Sequence, residues 1–263
     1  MIILFSDLDG TLLDHDTYSY ASALPGIIQL AKERIPLIMV SSKTFDEMKL
    51  LHGELGLDTP FIFENGGGLA LPGNGGFDVR VFGPGIDGLR RLIPEVESVI
   101  GSAVRPIIDM TAESLAETTG LPLERAALAM KRKTSIPFLL SEPRNVSPGD
   151  IESFNRSLAG KNAALTRGGR FFHLIAADSG KGAALDAVIG LYAEGCREIV
   201  TAAVGDSEND ISMLERVDRP FIVRKKNGSA VDTGIARITV TEAQGPAGFT
   251  EAVEKLVKGA FKE

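Results

Sequence analysis

The run Ile2-Ile3-Leu4-Phe5 leads, after Ser6, into Asp7-Leu8-Asp9-Gly10-Thr11-Leu12-Leu13. The apolar residues read as a buried strand that carries two acids to its end. Strand side chains alternate with period two, so Asp7 and Asp9 leave in the same direction. Neighbouring carboxylates repel, and the pair is costly unless a cation sits between them or one shares a proton. Gly10 lets the backbone turn sharply, and Thr11 adds a hydroxyl and an amide. Together they predict a divalent-metal phosphate site with one acid free to attack phosphorus.

Outward from that strand, apolar periodicity predicts a helix over 22–34, and Pro36-Leu37-Ile38-Met39-Val40 reads as a second buried strand. Thr44 and Glu47 form a capping box for a helix ending near Gly56, and Phe61-Ile62-Phe63 is a third strand. This alternation implies an α/β fold: a doubly wound, Rossmann-like parallel sheet with helices on both faces. Ligands bind at the carboxyl ends of such strands, where Asp7, Asp9, Ser41 and Asn65 fall.

The pattern then changes. Glycine-rich 68–84 reads as hairpins. Helices over 86–100, 111–119, 122–132 and 148–159 mix with strands over 104–108, 136–140, 163–166 and 171–176. This predicts an inserted α+β cap at 85–176, with 1–84 and 177–263 forming the catalytic core. The core pattern resumes with a helix from Gly180 to about 194, a strand over 199–204, a short helix to Leu214, a strand over 221–223 and an amphipathic helix over 247–258.

The 263 residues are 44% hydrophobic, ample for a core with an insertion, and net charge is −7. An acidic chain of this kind is not expected to bind nucleic acid or anionic membrane, and a phosphorylated substrate would need local cations and a metal. The single cysteine, Cys196, excludes an intrachain disulfide and reads as a packing residue. No apolar stretch approaches the roughly 18 residues of a membrane span, and residues 1–5 lack the features of a signal peptide. The expectation is a cytoplasmic protein.

A second acidic cluster, Gly205-Asp206-Ser207-Glu208-Asn209-Asp210, also follows a buried strand. Asp210 lies one helical turn beyond Asp206. Should this strand neighbour the first, the carboxylates converge on an oxygen-only site suited to Mg²⁺. Alone, the cluster favours such a site over the alternative, a solvated acidic turn capping a helix. Ser41 can donate to a phosphoryl oxygen or simply open a turn. Lys181 opens a helix, where the dipole disfavours a cation. It either meets a phosphate or carboxylate or snorkels to solvent.

In order, Asp7-x-Asp9-Gly10-Thr11, Ser41, Lys181 and Gly205-Asp206-x-x-Asn209-Asp210 resemble the four motifs of the haloacid dehalogenase superfamily of phosphatases. The insertion between the second and third motifs resembles a C2-type cap. Within that superfamily, Leu12-Leu13-Asp14-His15, Ser42-Lys43-Thr44, Glu64-Asn65-Gly66-Gly67, Gly168-Gly169-Arg170-Phe171-Phe172-His173-Leu174 and Gly245-Pro246-x-Gly248 are similar to the mannosyl-3-phosphoglycerate phosphatases. The resemblance implies Asp7 as nucleophile, Asp9 as general acid and base, and Ser41 and Lys181 against the phosphoryl oxygens. It implies Mg²⁺ held by Asp7, the Asp9 carbonyl and Asp206, with Asp210 at the metal or on Lys181. The substrate would be a small phosphorylated sugar acid, and a phosphomutase is the alternative. Expected substrate-binding residues are Lys43, Asn65, Gly66, Ser207 and Asn209 in the core, and Arg132 and Arg170 in the cap. Arg132 reads equally as part of a solvated helix face, His173 as a strand packing residue, and His15 and His52 as a loop and a helix-surface histidine.

Overall fold

A computed structural model describes residues 1–142, 145–168, 171–194 and 198–260. In chain order the elements are β1 (Ile2–Ser6), α1 (Leu24–Lys32), β2 (Leu37–Val40), α2 (Phe45–Glu54), β3 (Phe61–Phe63), β4 (Gly68–Gly73), β5 (Gly76–Val81), α3 (Gly85–Arg90), α4 (Ile93–Ile100), β6 (Val104–Pro106), α5 (Ala112–Thr119), α6 (Leu123–Ala129), β7 (Ser135–Leu140), α7 (Pro148–Leu158), β8 (Ala163–Gly168), β9 (Phe171–Ala176), α8 (Lys181–Ala193), β10 (Val200–Gly205), α9 (Ile211–Leu214), β11 (Arg219–Arg224), β12 (Thr239–Gln244) and α10 (Gly245–Ala260).

The larger sheet has the order β12-β11-β10-β1-β2-β3-β4-β5. From β12 to β3 the pairings are parallel, and β4 and β5 add an antiparallel hairpin at one edge. Alternation along each central strand explains why they are apolar throughout. Leu4, Leu37, Met39, Ala202 and Phe221 pack under α1, α2 and α10. Ile3, Phe5, Ile38, Ala203 and Ile222 pack under α8 and α9 on the opposite face. A strand buried on both faces carries no polar stripe. β1 lies between β10 and β2, so the sequence-distant acidic motifs emerge side by side at one sheet edge.

A second, antiparallel sheet has the order β6-β7-β9-β8. Its core includes Leu89, Val96, Ile100, Phe138, Phe154, Leu158 and Leu174, from the sheet and from α3, α4 and α7. A smaller cluster of Ile107, Leu115, Ala126 and Ala129 holds α5 and α6. No helix among the described residues is long and apolar enough to cross a membrane.

Three expectations need correction. The helix expected over 86–100 is two helices, because Pro94 in the first turn of α4 has no N–H to continue a helix from α3. The strand β12 has no counterpart in the sequence reading: as an edge strand it exposes half of its residues and needs little apolar character. His52 is buried, not on the helix surface. Its Nε2 lies 2.8 Å from Thr59 O, and its ring packs on Phe61 and Phe77.

Candidate active site

Asp7 follows the last residue of β1, and its N–H donates to Val204 O at 2.9 Å, which ties the acid to β10. Two glycines let the acidic loops close on each other. A Cβ on Gly10 (φ +86°) would lie 2.6 Å from Asp206 Oδ2, and one on Gly205 would lie 2.5 Å from Asp210 Cβ. Oxygens of Asp7, Asp206 and Asp210 consequently lie within 4.8 Å of one another.

Lys181, at the start of α8, is 2% exposed. Its Nζ donates to Asp7 Oδ1 at 2.5 Å and to Asp210 Oδ1 at 2.6 Å. Two carboxylates offset the dipole penalty of a lysine at a helix start. Asp210 is fully buried and braces the loop as well: its Oδ2 accepts from Asp206 N–H (3.0 Å) and Ser207 N–H (3.1 Å). Both Asp210 oxygens are thus engaged within the protein.

Lys181 bonds two of the three carboxylates, and the electrostatics show a deficit of positive charge. Burial, then the Asp210 charge, push Asp7 up to about 8 against the pull of Lys181. Burial and Asp210 likewise push Asp206 up to about 6, opposed by Lys225 and Lys181. Burial draws Lys181 down, but Asp7 and Asp210 outweigh it and hold its ammonium above the ordinary lysine range. An all-oxygen cluster short of positive charge fits a hard divalent cation such as Mg²⁺.

Asp9 has a different cation for its partner. Its Oδ2 pairs with Lys43 Nζ at 2.8 Å, and its buried Oδ1 has no hydrogen-bond partner among the described residues. Ser41 is 1% exposed, with its Oγ 3.2 Å from Lys43 N. Asn65 N–H donates to Ser41 O at 2.8 Å, and the buried Asn65 Oδ1 is also unpartnered. Glu64 (φ +50°), Asn65 (φ +55°) and Gly66 (φ +92°) are successive left-handed residues. Only glycine fits at 66, because a Cβ there would lie 2.2 Å from Gly180 O, beside Lys181. Ser207 and Asn209 pair with each other at 2.5 Å on the Asp206 loop.

The cap residues differ in what they face. The Arg132 guanidinium donates to two main-chain carbonyls, Ala129 O at 2.9 Å and Ser42 O at 2.8 Å. It staples the second unit to the Ser41 loop. Arg170 and Cys196 lie outside the described residues. His173 is on β9 opposite Pro137, and His15 is exposed in the loop after Asp14.

The sequence reading placed Glu64 in a family-like segment but gave it no role. Its buried carboxylate accepts from Lys133 N–H (2.8 Å), Thr134 N–H (3.0 Å), Thr134 Oγ (3.1 Å) and Ser135 Oγ (2.6 Å), gripping the chain as it enters β7. An acid directly after a buried strand was its one sequence signal. Lys225, after β11, was also missed; its signal was three successive cations, 224–226, at a strand end.

The model of the haloacid dehalogenase-like hydrolases matches residues 4–72 and 131–242. The chain belongs to that family. A glucosyl-3-phosphoglycerate/mannosyl-3-phosphoglycerate phosphatase from Methanococcoides burtonii is 36% identical over 269 residues, covering 97% of each chain. One of the same name from Persephonella marina is 33% identical, again over 97% of each. Among solved structures, a sucrose-phosphatase from Synechocystis, in complex with sucrose and phosphate, has a TM-score of 0.63 at 18% identity, covering 97% of this chain and 98% of that one. A phosphatase of the haloalkanoate enzyme superfamily from Bacteroides thetaiotaomicron has a TM-score of 0.69 at 20% identity, covering 97% and 94%. These two likenesses show the fold, in which the family's hydrolytic core carries a cap.

Proposed function

We propose that the protein is a Mg²⁺-dependent phosphomonoesterase of the cytosol. It works through an aspartyl-phosphate and acts on mannosyl-3-phosphoglycerate or its glucosyl counterpart. The observation that carries this reading is the buried Lys181 bridging Asp7 and Asp210, with Asp206 completing the cluster. The names of relatives matching nearly the whole chain supply the substrate class.

In the mechanism, an Asp7 carboxylate oxygen attacks phosphorus and the bond to the ester oxygen breaks. Asp9 gives its proton to the departing alkoxide, then takes one from the water that attacks the phosphorus of aspartyl-phosphate. Products are the glycosylglycerate, inorganic phosphate and free Asp7. Ser41 and Lys181 donate to the phosphoryl oxygens as charge develops. Asp7, the Asp9 main-chain carbonyl and Asp206 would hold Mg²⁺, while Asp210 keeps Lys181 and the loop in place. The cation would neutralise charge so that an anionic nucleophile can approach an anionic ester. Lys43, Asn65, Gly66, Ser207 and Asn209 would contact the substrate.

The test is phosphate release from mannosyl-3-phosphoglycerate with and without Mg²⁺. Stoichiometric free phosphate supports a hydrolase, and a rearranged sugar phosphate without free phosphate means a mutase. Resemblance beyond the shared catalytic motifs favours hydrolysis.

A further inference from the structure

A cavity of about 470 Å³ opens beside the acid pair. Asp9 and Asp206 line it together with Arg224, Lys225 and Lys226. Asp9 is the group that meets the leaving oxygen, so space reached from Asp9 is space for what leaves. The three cations stand at the carboxyl end of a parallel strand, the edge where ligands bind in such sheets.

The cations are not equivalent. Lys226 Nζ already pairs with Asp16 at 2.5 Å and Asp14 at 3.4 Å. Arg224 Nη1 donates to Gly228 O at 2.8 Å and braces the loop. Lys225 is half-buried, and its backbone is fixed by its N–H to Ser229 O (2.8 Å) and by Gly228 N–H to its carbonyl (2.8 Å). Its charge is felt at Asp206 across the cavity, yet among the described residues no carboxylate lies within ion-pair distance of its ammonium. A half-buried, unpaired cation on a braced loop is costly unless an anion completes it. Arg132, a cation of the cap that reaches the Ser41 loop, is committed to backbone carbonyls.

We propose that this cavity is the leaving-group subsite and that Lys225 pairs with a carboxylate on the leaving group. The ligand class is a phosphate monoester whose alcohol carries a carboxylate a few bonds from the ester oxygen. Acid recognition then belongs to the core, beside the general acid, and the cap is left to read the sugar. This rests on the glycosyl-phosphoglycerate reading above.

The test compares wild type, Lys225→Gln and Lys225→Arg on mannosyl-3-phosphoglycerate and on p-nitrophenyl phosphate, whose leaving group has no carboxylate. The expected result is a KM for mannosyl-3-phosphoglycerate raised about tenfold in Lys225→Gln, largely restored in Lys225→Arg. The KM for p-nitrophenyl phosphate changes several-fold less, because only the Lys225 charge felt at Asp206 is lost there. Equal loss on both esters overturns the subsite, because Lys225 would then serve the phosphate or the acid cluster. An unchanged KM for mannosyl-3-phosphoglycerate overturns it too. A thermal melt confirms that each variant is folded, and Lys225→Arg carries the comparison should Lys225→Gln not fold. Wild type that cleaves only p-nitrophenyl phosphate refutes the parent substrate reading, a result distinct from a wild type that cleaves both while Lys225→Gln is indifferent.

Discussion

Replacing Glu64 with glutamine tests whether one buried carboxylate holds the cap strand to the core. Glu64 Oε1 accepts from Lys133 N–H, and Oε2 accepts from Thr134 N–H, Thr134 Oγ and Ser135 Oγ. A glutamine keeps its oxygen best where three donors converge, which turns its NH₂ towards the Lys133 N–H. One buried amide is orphaned, at about 2 kcal/mol. The other bonds lose their charge assistance, worth about 1 kcal/mol more. Removing a buried charge works the other way, since a carboxylate with hydrogen bonds and no cation carries a desolvation cost. We expect the bonds to win, because every donor is already placed and Glu64 is held in a left-handed conformation to meet them. The predicted loss is about 3 kcal/mol in denaturant unfolding, with kcat reduced as the cap loses its seat. In a double-mutant cycle, Thr134→Val should cost less in the Glu64→Gln background than alone. A stability within about 0.5 kcal/mol of wild type, or above it, would refute the reasoning and show the charge to be a burden.

Two further outcomes follow from the geometry. Acids whose folded pKa lies above the ordinary 3.8, Asp7 at about 8 and Asp206 at about 6, favour the fold while protonated. The metal-free protein should therefore lose thermal stability as pH rises from about 4 to 8, and the increase in Tm caused by Mg²⁺ should grow over that window; a metal-free Tm that climbs towards pH 8 counts against the crowded acid cluster. Arg132→Met should weaken turnover of charged and neutral esters alike, and cost about 1–3 kcal/mol, because it frees two carbonyls at the cap junction; a selective loss on mannosyl-3-phosphoglycerate would instead make Arg132 a substrate cation.

The chemistry was legible where it is written in short contiguous runs at the ends of buried strands. Asp7 to Thr11 and Gly205 to Asp210 each pair a both-faces-buried strand with a glycine and acids, and pairing of β1 with β10 brings them together. The capping box of Thr44 and Glu47 was equally local and is present. What stayed hidden depends on distant chain segments. Nothing near Glu64 in sequence announces donors at 133–135, and nothing near Arg132 announces the Ser42 carbonyl. Lys225 was also hidden, because only the pairing of β11 with β10 brings it to the cavity lined by Asp9 and Asp206. Edge strand β12 lacked the apolar run that marks central strands, because only its buried Thr241 faces inward with near-complete burial.

Phosphate covalently held on Asp7 is the central claim. The direct measurement is acid quench of enzyme turning over labelled mannosyl-3-phosphoglycerate with Mg²⁺, followed by peptide mapping of the label, on wild type and Asp7→Asn. The account predicts label on the peptide containing Asp7 in the wild type, none in Asp7→Asn, and turnover reduced by at least about 10³-fold in a variant that still melts cooperatively. Label on another residue, or robust turnover by Asp7→Asn, would contradict it.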